Sequence, residues 1–289
     1  MFWDAPEDWI VSRHKRMIYA VSAPDFPVAG ITYLAGISES RSQATIPNWQ
    51  HVRVKNSKSA VYRVSDGQTT YYSKHYTNRA FCEQLKAMLR PPLRSVAVGV
   101  ALEKDGLPVP RSMAALTIRR GGFRMERIFV CREVPGKLLR DAIADGDLDS
   151  GKRMHLAHTM GKIWGMLHSK GYLHMDPISG NFMHDAGNSV QPIHVIDLDN
   201  IYRVPAVLLT SKLPFSARRL TKFAYRLSRQ LVEQGQEPIR QDEWRCFRRA
   251  YVAAGGDEGR EPLVWWDLIR RLVEKRWLKR FATPYPHLP

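Results

Sequence analysis

The sequence GYLHMDPISGNFMHD at residues 171–185 is followed closely by HVIDLDN at residues 194–200, and these two segments carry the strongest functional signal in the chain. The first places His174, Asp176 and Asn181 in the frame H-x-D-x-x-x-x-N. The run IHVI at residues 193–196, which overlaps the second segment, predicts a short strand that leads to Asp197. Polar side chains therefore collect at the ends of short predicted elements, where a site can form.

This order of residues is typical of the catalytic loop and metal site of the protein-kinase-like fold. Phosphoryl transfer depends mostly on positioning and on the neutralisation of charge. Asp176 is placed to meet an acceptor hydroxyl, while Asn181 and Asp197 offer the hard oxygen ligands that Mg²⁺ prefers. The alternative is that a helix end, a turn and an unrelated strand match this spacing by chance. The ordered downstream aspartate and an upstream helix favour phosphoryl transfer.

The segments before this loop predict the elements that such a site needs. Residues 152–170 predict a helix, because apolar residues recur there at helical spacing and Gly171 follows as a C-terminal glycine. Residues 52–76 predict three strands, with Asp66-Gly67 as a hairpin turn. Lys74 on the third strand is the candidate for contact with the nucleotide phosphates. A solvent-facing strand lysine is the alternative, but the hairpin order favours the functional interpretation.

Further candidates for nucleotide binding lie on either side of this lysine. Ser57 and Ser59, in the loop between the first two strands, are candidates to cover the phosphates, although this loop contains no glycine. A second predicted hairpin, SMAALTIRR and FRMERIFVCREVPG around Gly121-Gly122, ends where an adenine-binding hinge would lie. Glu133 is either a hinge residue or simply an exposed one.

The pattern of five predicted strands followed mainly by helices indicates an α+β, protein-kinase-like, two-lobed fold, with a small antiparallel N-lobe and a mainly helical C-lobe. The predicted boundaries are a partly ordered N-terminal extension over residues 1–48, an N-lobe over 49–134 and a C-lobe over 135–289. The length of 289 residues suits one such catalytic unit.

The motifs resemble the lipopolysaccharide core kinases of Gram-negative bacteria, the Kdo and heptose kinases. The resemblance covers roughly residues 50–235 and rests on these segments: YYSKHY, GLPVPRSMAA, REVPGKLLRDAI, GYLHMDPISGNFMHD, VIDLDN and SARRLTKFAYRLSRQL. It implies an ATP- and Mg²⁺-dependent kinase that acts on a sugar hydroxyl of the lipid-linked core oligosaccharide. The expected location is the cytoplasmic side of the inner membrane, as a peripheral protein.

The resemblance also implies residue roles. Asp176 takes the role of the catalytic aspartate, Asn181 and Asp197 those of metal ligands, and Lys74 that of the phosphate-contacting lysine. His174 is expected to brace the loop rather than to take part in the chemistry.

Two departures from the family pattern bear on activity. Met175 stands where protein kinases usually have arginine, which argues against control by a phosphorylated activation loop. The helix glutamate expected as the partner of Lys74 is missing near residues 95–97, which read Ser-Val-Ala. Glu83 and Glu103 are the candidates to replace it.

The net charge of 44 − 28 = +16 predicts a polyanionic partner. Basic residues crowd the helix that begins near Ser216, and near the C-terminus they accompany tryptophans between Trp265 and Arg280. This second cluster suits either an anionic membrane surface or an ordinary helix with core tryptophans and a solvated basic face. Nucleic acid is a less favoured partner, because no binding module is recognised.

The remaining sequence features exclude other classes. The three cysteines, Cys82, Cys131 and Cys246, are scattered and read as reduced thiols of a cytosolic protein. The N-terminus is too mixed for a signal peptide, and no apolar run of about 18 residues exists to span a membrane. Two alternatives to the core kinase stay open: a kinase of another small molecule or a protein, and a pseudokinase that scaffolds envelope-glycan enzymes.

Overall fold

The computed structural model describes the chain in eleven segments: residues 6, 8–14, 17–37, 48–56, 60–77, 92–119, 125–146, 148–190, 192–204, 215–255 and 262–286. By contact they form two compact units. The N-terminal unit comprises residues 1–104 and 109–134, and the C-terminal unit comprises residues 105–108 and 135–289.

The N-terminal unit is built on a seven-stranded antiparallel sheet in the order β1-β2-β6-β7-β5-β4-β3. Its strands are β1 Ile10–His14, β2 Met17–Ser22, β3 Gln50–Asn56, β4 Ala60–Ser65, β5 Thr70–Thr77, β6 Ser112–Arg119 and β7 Met125–Arg132. The five strands predicted from the sequence are β3 to β7, and the predicted hairpin turn forms at Gly67, which has a φ of 89°.

Part of the segment that the sequence analysis set apart as an extension belongs to this sheet. Strand β2 pairs with β6 along its length, and helix α1, Val28–Ile37, buries Ile31, Tyr33 and Leu34 in the same core. The prolines and polar residues of segment 1–48 gave no local signal for these elements. Their formation depends on pairing with a distant sheet edge, which local composition does not reveal. Helix α2, Pro92–Lys104, contacts β6 and β7.

The C-terminal unit contains α3 Leu139–Ala144, α4 Ser150–Ser169, α5 Phe215–Glu233, α6 Gln241–Ala253 and α7 Pro262–Phe281. Five short strands accompany them: β8 Lys137–Leu138, β9 Tyr172–His174, β10 Phe182–His184, β11 Ile193–Val195 and β12 Ile201–Arg203. The predicted helix before the loop is α4. The Asp149 side chain caps its first turn by accepting from the Lys152 amide, and Gly171 follows its end with a φ of 80°.

Two glycines let α4 and α6 cross closely. A β-carbon at Gly161 would collide with the carbonyl oxygen of Phe247, and one at Gly165 would collide with that of Tyr251. Because the two glycines are four residues apart, they lie on one face of α4 and bring the backbones together there.

The tryptophans of the C-terminal region that the structure describes pack against aromatic rings of their own unit, with Trp277 buried and Trp266 half-buried. Trp277 is 3% exposed and contacts Phe281 and Tyr285, and the Trp266 ring packs edge-on against Tyr251. Of the two readings of this region, these rings favour core packing. The Trp265 side chain lies outside the described residues.

Within the described residues, no helix is long and apolar enough to cross a membrane. The two cysteines among them, Cys131 and Cys246, form no disulfide bond within the described residues.

Candidate active site

The loop between β9 and β10 holds the motif residues, and His174 anchors its start. His174 ends β9, pairs in register with Ile201 of β12, and is fully buried between the Trp164 and Phe182 rings. Burial lowers the pKa of His174 to about 4, against the opposing effect of the nearby Asp197 and Asp176 carboxylates. A neutral histidine that packs between aromatic rings fits the predicted bracing role.

Asp176 is the most strongly contacted polar side chain of the loop. Its Oδ1 accepts from the Lys222 ammonium at 2.7 Å and from the Arg226 guanidinium at 3.1 Å. Partial burial would raise the pKa of the Asp176 carboxyl, but the hydrogen bonds and charges of Lys222 and Arg226 outweigh it and hold the pKa below its usual range. Its Oδ2 has no hydrogen-bond partner among the residues that the structure describes, so this oxygen can accept from a substrate hydroxyl.

One face of α5 contacts the loop along its length. Arg219 donates to the Met175 carbonyl at 2.9 Å, and Ser179 hydrogen-bonds to the Gln230 side chain. Together with Lys222 and Arg226, these residues follow a spacing of three to four along the helix, which places them on one face. We call this set the α5 stripe: Arg219, Lys222, Arg226 and Gln230.

The two predicted metal ligands lie at the open end of a β-hairpin. Asn181 precedes β10 and Asp197 follows β11, and the Asn181 carbonyl accepts from the Ile196 amide at 3.0 Å. The Asn181 side-chain amide donates to the Asp176 carbonyl at 2.8 Å, which leaves its Oδ1 as the group available to a cation. Asp197 Oδ2 accepts from the Asn200 side chain at 2.6 Å.

These donors fit Mg²⁺. An amide oxygen and a carboxylate are hard ligands, and magnesium usually takes only one or two protein ligands when phosphates supply others. No group of three or more His, Cys, Asp or Glu side chains among the described residues could hold a metal ion.

The candidates for nucleotide binding belong to the N-terminal unit. Lys74 lies in the middle of β5, between Val61 of β4 and Phe129 of β7, with its Nζ 5.2 Å from the centroid of the Tyr76 ring. Glu103 is exposed near the end of α2. Ser57, Ser59 and Glu83 lie outside the described residues, so their predicted roles stay predictions.

Glu133 is engaged within the sheet. Its carboxylate forms a two-point pair with the Arg63 guanidinium, at 2.8 and 3.1 Å, and its amide donates to the Thr70 carbonyl at 2.9 Å. Its role at an adenine-binding hinge stays a prediction.

The α5 stripe is what sequence reasoning missed. The sequence analysis noted only that basic residues crowd this helix, because helical periodicity shows which residues share a face but not which part of the fold that face contacts. The spacing of three to four residues from Arg219 to Gln230 was the sequence signal that could have indicated a shared polar face.

Comparison with known proteins supports the fold. No family model and no curated protein sequence matches the chain. Among solved structures, WaaP in complex with acyl carrier protein matches with a TM-score of 0.51 and 16% identity, over 78% of this chain and 88% of that one. The chain shares the fold of WaaP. This confirms the predicted protein-kinase-like, α+β fold and, at the level of the fold, the resemblance to lipopolysaccharide core kinases. The bifunctional kinase-methyltransferase WbdD matches with a TM-score of 0.46 and 15% identity, over 78% of this chain and 51% of that one.

Proposed function

We propose that the protein is an ATP- and Mg²⁺-dependent kinase that phosphorylates a sugar hydroxyl, of Kdo or heptose, in the lipopolysaccharide core. One observation carries the proposal. Asp176 presents a carboxylate oxygen with no partner among the described residues. The Asp176 carbonyl accepts from the Asn181 side chain, and the Asn181 carbonyl accepts from the Ile196 amide, next to Asp197. The resemblance of the motifs to core kinases supports the substrate class, and the fold shared with WaaP is consistent with it.

The site residues divide the chemistry between them. Asp176 Oδ2 accepts the proton of the sugar hydroxyl and orients its oxygen toward the γ-phosphoryl group. Asn181 and Asp197 would hold Mg²⁺, which when bound neutralises the charge of the phosphates. Because its pKa is low, Asp176 is a weak base, and its main contribution is to orient the acceptor hydroxyl. This role is sufficient in a loose transition state, because the hydroxyl proton leaves late there.

Lys74 would contact the nucleotide phosphates, Ser57 and Ser59 would cover them, and Glu133 would lie at the adenine hinge. We further propose that an acidic side chain, from Glu83 or Glu103, orients Lys74. The lipid-linked acceptor places the enzyme on the inner face of the inner membrane, where exposed basic residues of α7 would meet anionic lipid.

The test uses the full-length protein with ATP, Mg²⁺ and purified deep-rough lipopolysaccharide, followed by mass spectrometry of the core oligosaccharide. The expected product carries one added phosphate on Kdo or heptose and fails to form when Mg²⁺ is chelated. Core oligosaccharide from cells with and without the protein should show the same difference.

Two other results would each favour one of the alternative functions. Phosphate on another small molecule or on a protein, with none on the core, would reject the substrate class but keep the kinase. Absence of Mg²⁺-dependent nucleotide binding would favour the pseudokinase that scaffolds envelope-glycan enzymes.

A further inference from the structure

The motif loop contains no cation of its own. Between His174 and Asn181 the residues are Met, Asp, Pro, Ile, Ser and Gly, so none of them can neutralise the charge that moves with the phosphoryl group. Because phosphoryl transfer relies on electrostatic stabilisation of that charge, a cation from outside the loop would add to the effect of Mg²⁺ and Lys74.

Lys222 of the α5 stripe reaches the loop from outside it. Its ammonium lies 2.7 Å from Asp176 Oδ1, and its side chain is 23% exposed. An acceptor hydroxyl held by Asp176 Oδ2 must approach the γ-phosphorus to within about 3–3.5 Å. The oxygens of the phosphoryl group then come within reach of Lys222 through a change of its side-chain torsions.

Arg226 allows Lys222 to leave Asp176. It binds the same oxygen of Asp176 at 3.1 Å, so Asp176 keeps one cationic partner when the lysine turns toward the phosphate. The loop backbone is held separately, by Arg219 at the Met175 carbonyl and by Asn181 at the Asp176 carbonyl. Lys222 is thus the cation that can be spared from positioning.

We propose that Lys222 is a catalytic residue that binds the transferring phosphoryl group and stabilises its charge. The inference rests on the proposed kinase function and goes beyond it by naming a residue outside the sequence motifs. In the step, the bond from phosphorus to the leaving oxygen of ADP breaks and the bond to the sugar oxygen forms. The hydroxyl proton passes to Asp176 Oδ2, and Lys222 stays protonated throughout.

The experiment measures affinity for Mg²⁺–ADP with and without aluminium fluoride, which mimics the phosphoryl group in transfer. Wild-type protein should bind Mg²⁺–ADP more tightly when aluminium fluoride is present. Lys222→Gln should bind Mg²⁺–ADP normally but lose about 10- to 100-fold of that tightening, because a charge-assisted hydrogen bond is removed. Lys222→Arg should keep most of it.

Arg229→Gln is the matched control, since Arg229 lies on the same helix and pairs with Glu233 at 3.2 Å. It should behave as wild type. Full tightening in Lys222→Gln, with loss of phosphate transfer to the sugar, would overturn the proposal and leave Lys222 a positioning residue. Equal losses in Lys222→Gln and Lys222→Arg would also overturn it, because the charge would then not matter. Failure of the wild type both to tighten and to phosphorylate the core oligosaccharide would instead reject the proposed kinase function.

Discussion

At the scale of single residues, removal of the Asp176 charge should affect phosphate transfer and nucleotide binding differently. In Asp176→Asn the side chain keeps its size but can no longer accept the hydroxyl proton, and Lys222 and Arg226 lose their carboxylate partner. We expect phosphate transfer to fall on the order of 10²-fold or more while nucleotide binding is retained, since the freed cations attract phosphate. Steady-state kinetics and nucleotide titration measure the two effects.

Asp185→Asn is the control for this variant. Asp185 closes the same motif, but its carboxylate caps a turn by accepting from the Gly187 amide at 3.0 Å and lies beside His194 rather than Lys222. Near-normal turnover in Asp176→Asn would reject the assignment of the acceptor-binding carboxylate.

A buried histidine makes the stability of the C-terminal unit depend on pH. His168 is 7% exposed, hydrogen-bonds through Nδ1 to the Tyr251 hydroxyl at 2.8 Å, and has its pKa lowered by burial to about 3. The unfolded chain binds a proton below a pKa of about 6.5, whereas the folded chain excludes it. Stability from neutral His168 is therefore complete above that pH and declines as the pH falls toward the folded value.

At about pH 5 this effect removes about 2 kcal/mol of the free energy of unfolding relative to about pH 7.5. Urea unfolding followed by tryptophan fluorescence measures it. His168→Gln, which keeps a polar group for Tyr251, should lower overall stability but lose about 2 kcal/mol less on acidification. An unchanged pH dependence in this variant would show that other groups cause the acid sensitivity.

At the scale of elements, the crossing of α4 and α6 depends on the absence of side chains. In Gly161→Ala the new methyl group would meet the Phe247 carbonyl, so the helices must separate. Overpacking of this kind costs about 1–3 kcal/mol, which thermal or denaturant unfolding would detect.

Gly151→Ala, in the first turn of α4, is the matched control. There the added β-carbon would meet only Asp149 Oδ1, at 3.4 Å. Because alanine favours helix over glycine by about 0.5–1 kcal/mol, this variant should be as stable as wild type or slightly more stable. Equal stability of Gly161→Ala would mean that the helices have room to spare.

What the sequence could predict at this scale follows from how local each signal is. Helix α4 and strands β3 to β7 were predictable, since periodicity, the Asp66-Gly67 turn and Gly171 are signals within the element itself. The contact of Lys222 with Asp176 was not, because 46 residues separate them and only the folded chain decides which face of α5 meets the loop. Strands β1 and β2 were missed for the same reason, as their pairing with β6 is long-range.

At the scale of the whole molecule, the excess of positive charge needs a partner, and α7 presents part of it. Ile269, Val273 and Trp277 bury one face of this helix, while Arg271, Lys275 and Lys279 are exposed. The three basic residues recur every four positions and so form a continuous strip, which we call the α7 strip. Because Trp277 is buried and the half-buried Trp266 ring packs against Tyr251, we expect attraction of the α7 strip to a membrane to rest on charge rather than on inserted rings.

We therefore expect the combined variant R271Q/K275Q/K279Q to bind vesicles of anionic lipid more weakly. Each basic residue near an anionic surface contributes about 1 kcal/mol, so the loss is on the order of 100-fold at low salt and shrinks as salt screens the interaction. Vesicle sedimentation at several salt concentrations measures it. Phosphate transfer to a delipidated core acceptor should be unchanged, since the α7 strip has no place in the chemistry proposed for Asp176.

The control must remove the same charge from elsewhere, because a net charge of +16 attracts anionic membranes whatever its distribution. R132Q/R203Q/R245Q does so at exposed positions on β7, β12 and α6. If binding depends on the α7 strip, this control retains most of its vesicle affinity and salt sensitivity. Equal weakening of the two variants would show that the membrane responds to total charge. Unchanged binding in the α7 variant would leave its basic face simply solvated.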